Sequence, residues 1–438
     1  MQNGRVFYPI GYGADPTGGK ESSDAILQAV NDAFQVESGL QLLAGIKDLG
    51  GVVVDLQGGN YTISKPIRFP AGCGNLVVQG GTLRASNNFP GDRHLIELWA
   101  QNSQKNNPTN SIKSPRVLIT NVKKNVQSPG IFYEAITIRD ILFDSTFRGG
   151  GIFVIDSARI RITNCFFLHF STQGILVQKG HETFISNCFL GQHSTVGGDP
   201  SERDYSGTGI ELASNDNAIT DVAIFSAAIG IKLSGQANIV TGVHCYNKAA
   251  GFGGIGILVK VADATLTRID NCYLDYAGIV LEDPVQIHIT NGFFIGDANI
   301  VLKSIKGRIS GLNIVDNMFN GNPKKNVPII TLDGDFGNVD QVVIDRNHVN
   351  GMRLKSTVGK MTVAKNGTKW VADFSSMLLF PDRITHFQYS LYPKGLPTGF
   401  VGHGVTNISD NVVVVESNKA VYGVVSVAVD QYKYSVVA

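Results

Sequence analysis

Apolar positions along this chain come in short bursts separated by turn residues. "ITNCFFLHF" from Ile162 is echoed by "ISNCFLGQH" from Ile185. An apolar residue, polar or small residues and a second apolar run return in "ITDVAIFSAAIGIKL" from Ile219, "VTGVHCYN" from Val240, "IDNCYLDYAGIVL" from Ile269 and "ITNGFFIGDANIVL" from Ile289. The corresponding positions Asp140, Asn164, Asn187, Asp221, Gly242, Asn271, Asn291, Asn317 and Asn347 recur every 20 to 34 residues. Downstream of most of them lies a second signature, as in "GGIFV", "QGILV", "TGIEL", "IGIKL", "IGILV", "AGIVL" and "ANIVL". The segments are alternating and β-branched, with Gly or Asn where a helix would have to continue, so they read as strands joined by turns. Several strands per repeat, each pairing with its counterpart in the next, predict an all-β chain folded as a right-handed, single-stranded parallel β-helix of roughly nine or ten coils. Equivalent residues then stack about 4.8 Å apart. Asn164 and Asn187 form one expected ladder and Cys165 and Cys188 another, with the asparagines bonding neighbouring backbone from an inward turn.

The ends of the array break the pattern. "GYGADPTGGKESSDAILQAVNDAF" places Asp15-Pro16 in a turn, then Ser22 or Ser23 as a helix cap, with Ile26, Leu27, Val30 and Phe34 on one face. Such a short helix would cover the first coil, whose strand edge is otherwise open. Coil signatures fade from about Thr357, and "NVVVVESNKAVYGVVSVAV" reads as strands covering the last coil or packing on its side. The expected organisation is an N-terminal segment with its capping helix over 1–45, the β-helix over 46–356 and C-terminal strands over 357–438. "QNSQKNNPTNSIKSPRVLITNVKKNVQSPG" is polar and basic and reads as a mobile loop.

Composition narrows the partners. The net charge is +1 with only 17% charged residues, so the electrostatic footprint of a nucleic-acid binder is missing. No run of 18 apolar residues predicts a membrane span. Five cysteines leave at least one unpaired, and with no CxxC spacing neither metal nor cofactor is expected; the stacked Cys165 and Cys188 read as free core thiols. Sequons at Asn60, Asn366 and Asn407 fit a secreted glycoprotein, in which case a signal peptide lies outside the numbered chain.

The opening "GADPTGG", "SSDAILQAVNDA" and "GGVVVDLQGGNYTISKPI" resembles the pectate-lyase-like β-helix superfamily, whose members largely act on polysaccharides. The run "FRGGGIFVIDSARIRITNCFFLHFSTQGILVQKGHETFISNCFLGQHSTVGGD" is similar to the plant QUARTET-type polygalacturonases, a divergent branch that cuts the homogalacturonan of pectin. The likeness runs from Val6 to about Val427 and implies a pectin-lyase-like solenoid, a polysaccharide substrate, hydrolysis with inversion and a cell-wall location. Ordinary polygalacturonases carry Asn-Thr-Asp-Gly, Asp-Asp, Gly-His-Gly and Arg-Ile-Lys motifs. These fall here on Ser171-Thr172-Gln173-Gly174, Gly207-Thr208, Ala228-Ile229-Gly230 and near Ile255-Gly256-Ile257, without the usual acids or histidine. The "GHG" at Gly402 to Gly404 lies beyond the coils.

Glycoside hydrolysis needs two carboxyl groups, one to donate a proton and one to activate water or attack. Alternation turns Ile210 and Leu212 inward and Glu211 outward, with Leu176 one coil back and Lys232 one coil on. Just before that strand the longest insertion, "GQHSTVGGDPSERDYSGTG", carries His193, Asp199, Glu202, Arg203 and Asp204. Long solenoid insertions collect on a binding face. The catalytic candidates are Glu211, Asp199, Asp204 and His193. Lys232, Arg203, Lys248, His169 and Arg148 are the candidates for holding an anionic sugar. Set against these are a solvated charged loop and a surface Glu211–Lys232 pair worth under about 1 kcal/mol. Two other readings compete: a polysaccharide lyase of the same fold, and a glycan-binding β-helix without chemistry.

Overall fold

The computed structural model describes residues 5–36, 38–100, 130–192, 206–246, 254–260, 265–395 and 399–433. The fold is a right-handed parallel β-helix with one short helix near its N-terminus. Two compact units, Met1–Ile257 and Leu258–Ala438, make up the chain.

In the first unit the helix Ser23–Ala33 buries Ile26, Ala29, Val30 and Ala33 and packs against the strands Val6–Phe7, Ile46–Asp55 and Ile67–Arg68. Leu27 is only half-buried, its expected place on the buried face taken by Ala29 and Ala33. The expected serine cap is not formed: Ser22 Oγ accepts from the Asp15 N–H, and the Glu21 carboxylate takes the Ser23 N–H at 2.9 Å. An acid at that point also complements the helix dipole.

Each following coil contributes one strand to three parallel sheets. Arg161–Thr163, Phe184–Ser186, Ala218–Thr220 and Ile239–Thr241 stack in the first. The second holds Phe166–Leu168, Phe189–Gly191, Ala223–Phe225 and His244–Tyr246. His94–Leu98, Gly150–Ile155, Gln173–His181, Ser206–Asn215 and Ala227–Leu233 form the third, the Gly-Ile sheet. Inward columns such as Ile162, Ile185, Ile219 and Val240 are fully buried. Phe143 and Phe167 stack within the core, centroids 4.7 Å apart.

The ladder that prompted the repeat reading exists, but it faces outward. Asp140, Asn164, Asn187 and Asp221 all have φ between 51 and 57°, and Gly242 follows at 65°. Asn164 and Asn187 are exposed, so their place is set by tolerance of left-handed backbone, not by inward bonding. Buried asparagine bonding occurs at a different turn, where Asn217 Nδ2 donates to Asn238 Oδ1 at 2.9 Å. Cys165 and Cys188 stack inside the coil as free thiols.

The second unit has coils of its own, with the strands Val285–Thr290, Arg308–Val315 and Asn338–Asp345 stacked in one sheet. Here the ladder reading slips by one residue. Phe293 pairs with Met318 and Met318 with His348, which aligns Asn291 with Asp316 and Arg346. Those two take the left-handed conformation, at 59° and 54°. Asn317 and Asn347 occupy the inward position next to it, and Asn317 Nδ2 donates to Asn347 Oδ1 at 3.0 Å. Asparagine fits both positions, so letter matching alone could not choose. Beyond the coils, Val412–Asp430 pairs antiparallel with Val358–Asp373, His386–Pro393 and His403–Ser409, over a core of Trp370, Phe374 and Val413. The "GHG" histidine, His403, belongs to this sheet.

Candidate active site

The outward face of the Gly-Ile sheet carries one continuous column: Arg68, Glu97, Phe153, Leu176, Glu211, Lys232. Ile210 and Leu212 are wholly buried, which forces Glu211 outward between them. Lys232 Nζ lies 2.7 Å from Glu211 Oε1, and Gln173 Nε2 donates to Oε2 at 3.1 Å. Both carboxylate oxygens therefore face donors, and the side chain is only 13% exposed. The group is presented to its neighbours as a hydrogen-bond acceptor.

Gln173 is held by its neighbours in a second column, three residues earlier along the strands. It pairs with Thr208 in the next coil, and a Cβ added to Gly150 in the preceding coil would stand 2.1 Å from its carbonyl oxygen. The same Cβ would meet the His94 ring at 2.5 Å, so glycine at 150 is what admits His94 beside Gln173. His94 is buried and leans on Phe153, centroids 5.7 Å apart. Burial, only partly opposed by Glu97 and Gln173, lowers its pKa to about 4 and keeps it neutral.

A second polar group stands where the chain enters the sheet. His169 Nδ1 is 2.8 Å from Asp144 Oδ1, and Arg84 Nε bonds Asp144 Oδ2 at 3.1 Å. Burial would raise the Asp144 pKa, but bonds from His169 and the Thr146 N–H, with Arg84 nearby, hold it below the usual value. Phe147 covers the His169 ring at 4.7 Å. The contact to Asp144 fixes His169 Nδ1, leaving Nε2 as the nitrogen available to a ligand. Arg148 is exposed and forms no ion pair among the described residues.

Of the residues expected from sequence, Glu211 and Lys232 are thus brought into contact, and His169 is joined to Asp144. His193, Asp199, Arg203, Asp204 and Lys248 lie outside the described residues, as do Glu202 and the loop from Gln101. His244 belongs to the outer face of the second sheet, against Phe225 and Tyr246. Asp144, Gln173, His94 and the Arg68–Glu97 end of the column were not singled out as site residues. Gln173 stood one residue before a Gly-Ile signature, which is the available signal for it. Asp144 and His169 are 25 residues apart and only the coil register joins them.

On the outward face of one sheet of a parallel β-helix, a carboxylate is thus held between one cation and one amide. No protein-family model matches the chain. It is 52% identical over 432 residues to Polygalacturonase QRT3 of Arabidopsis thaliana, spanning 98% of this chain and 84% of that protein. The chain belongs to the QRT3-type polygalacturonase family. Among solved structures it is similar to endo-xylogalacturonan hydrolase from Aspergillus tubingensis, with a TM-score of 0.55 at 12% identity over 79% of this chain and 92% of that one. ORF18 of Geobacillus virus E2 matches at TM-score 0.53 and 12% identity, covering 94% and 76%. Those two similarities are of fold.

Proposed function

We propose that this enzyme hydrolyses pectic homogalacturonan in the groove over the Gly-Ile sheet, with Glu211 as the ionised carboxylate and Asp199 or Asp204 as its acid partner. The observation that carries the reading is the Glu211 carboxylate held at both oxygens by Lys232 and Gln173 on an outward column. The neighbouring column positions are Leu176 and Lys232, and Glu97 is three steps away, about 14 Å. That exceeds the roughly 6.5 to 9.5 Å of an inverting pair. The second carboxyl is therefore assigned to the insertion before Ser206, together with His193. Lys232, Arg203, Lys248, His169 and Arg148 hold galacturonate carboxylates. The enzyme acts in the cell wall as a secreted glycoprotein. Asn366 and Asn407 are exposed for glycosylation, whereas the Asn60 side-chain oxygen is buried. No helix among the described residues is long and apolar enough to cross a membrane.

The test is product formation from polygalacturonate. New reducing ends without ultraviolet absorbance are expected, and an unsaturated product would make the enzyme a lyase. Glu211→Gln keeps the shape and removes the base, and should cut the rate by a factor of about 10² to 10⁴. A Glu211→Gln enzyme as fast as the parent removes Glu211 from the mechanism.

A further inference from the structure

The column that carries Glu211 ends in a built cationic cluster that the cleavage chemistry does not use. Glu97, only 1% exposed, accepts from Arg68 Nε at 3.1 Å and from Arg93 Nε and Nη2 at 2.8 and 2.5 Å. The His94 N–H adds a longer bond at 3.3 Å. Two guanidiniums share one buried carboxylate; the exposed Asp92 acts on Arg93 and forms no ion pair with Arg68 among the described residues.

Arg68 is engaged unequally. Its side chain is 39% exposed, Glu97 meets only Nε, and its face covers the Trp99 ring at 4.0 Å. Glu97 and Trp99 fix the orientation of the guanidinium while both terminal nitrogens keep their donors, the edge that grips a carboxylate in bidentate fashion. Burial of Glu97 accounts for Arg93, whose contact is two-pronged; it does not account for an exposed second arginine bound by one nitrogen. Between this cluster and Glu211 the column offers Phe153 and Leu176, an apolar floor for sugar rings. Arg68 stands four strand steps from Glu211, roughly 19 Å, the length of a short oligosaccharide.

We infer that Arg68, oriented by Glu97 and Trp99, forms a distal subsite that binds a uronate carboxylate of the polysaccharide several sugars from the cleavage point. The inference rests on the galacturonan reading for the direction of the chain along the groove. Such a subsite makes affinity grow with oligomer length and depend on free carboxylates at the distant end.

The experiment is equilibrium binding of oligogalacturonates to the Glu211→Gln protein. Trp99 supplies a signal: the chain has two tryptophans, and Trp370 is buried in the C-terminal sheet. Long oligomers should change Trp99 fluorescence and bind more tightly than di- or trigalacturonate. Arg68→Gln in that background should weaken the long oligomers about tenfold and collapse the gain with length. Fully methyl-esterified oligomers should show no such gain. Arg68→Lys, which keeps the charge and loses the paired donors, should lie between the two and serves if Arg68→Gln misfolds. Equal binding of long oligomers with and without Arg68 overturns the subsite and leaves the hydrolase reading standing. A parent that binds long oligogalacturonate and never cuts it overturns the hydrolase reading and leaves the subsite. A protein that binds none overturns the subsite.

Discussion

Glu211 owes its position to a two-residue period: its buried neighbours Ile210 and Leu212 leave it no inward option. That much is local, and it was legible. The residues that hold it are not local, since Gln173 and Lys232 are 38 and 21 positions away. Lys232 was reachable because both residues sit at the same place in a Gly-Ile signature. His94 shows the opposite case, a histidine outside any recognisable motif. Burial drives its pKa from the ordinary 6.5 to about 4, against the pull of Glu97. A histidine depressed in the folded state takes up its proton first in the unfolded chain. Its contribution is therefore complete above about pH 6.5 and is lost as pH falls toward 4. The full gap corresponds to a loss on the order of 3 kcal/mol. Urea unfolding of the parent should weaken more between pH 7.5 and pH 4.5 than unfolding of His94→Gln, which cannot titrate there. Equal weakening in the two proteins would mean that His94 is not a buried neutral imidazole.

Among the elements, the turn between the first and second strands of each coil shows how a repeat is kept without keeping its letters. Asp140, Asn164, Asn187, Asp221 and Gly242 share a left-handed backbone, and aspartate, asparagine and glycine are the residues that enter it at least cost. Replacing Asn187 by glycine should leave stability within a few tenths of a kcal/mol, whereas Asn187→Ala should cost about 1 kcal/mol. Thermal melting of the pair checks this, and an alanine variant as stable as the glycine variant would show that side-chain bonding, not backbone conformation, selects the residue. Asn317 and Asn347 mark the limit of letter matching. They serve one position further on, as inward hydrogen-bonding residues, Asn317 buried and Asn347 half-buried, while Asp316 and Arg346 make the turn. Helix capping tells the same story, because Glu21 supplies the contact expected of the serines next to it.

For the molecule as a whole, stacking of identical positions decides the fate of the thiols. Cys165 and Cys188 are neighbours in one inward column, yet all five cysteines are free and buried. The hydrogen bond these two neighbours share pushes the Cys165 thiol up and the Cys188 thiol down, so the two titrate as a pair. Labelling of denatured, unreduced protein should find five thiols, and fewer would reveal a disulfide. The sequence by itself determined the β-helix, the helix near the N-terminus, the family and the outward direction of Glu211. Each rests on periods and motifs a few residues long, repeated often enough to be read without coordinates. Only the tertiary structure decided the coil register in the Asn317 region, the Asp144–His169 contact, the Gln173 bond to Glu211 and the Arg68–Glu97–Arg93 cluster. Apart from the Arg93–Glu97 pair, four positions apart, these depend on which residues 25 to 60 positions apart stack in successive coils, and loops of unequal length between strands shift that pairing without leaving a mark on the local pattern.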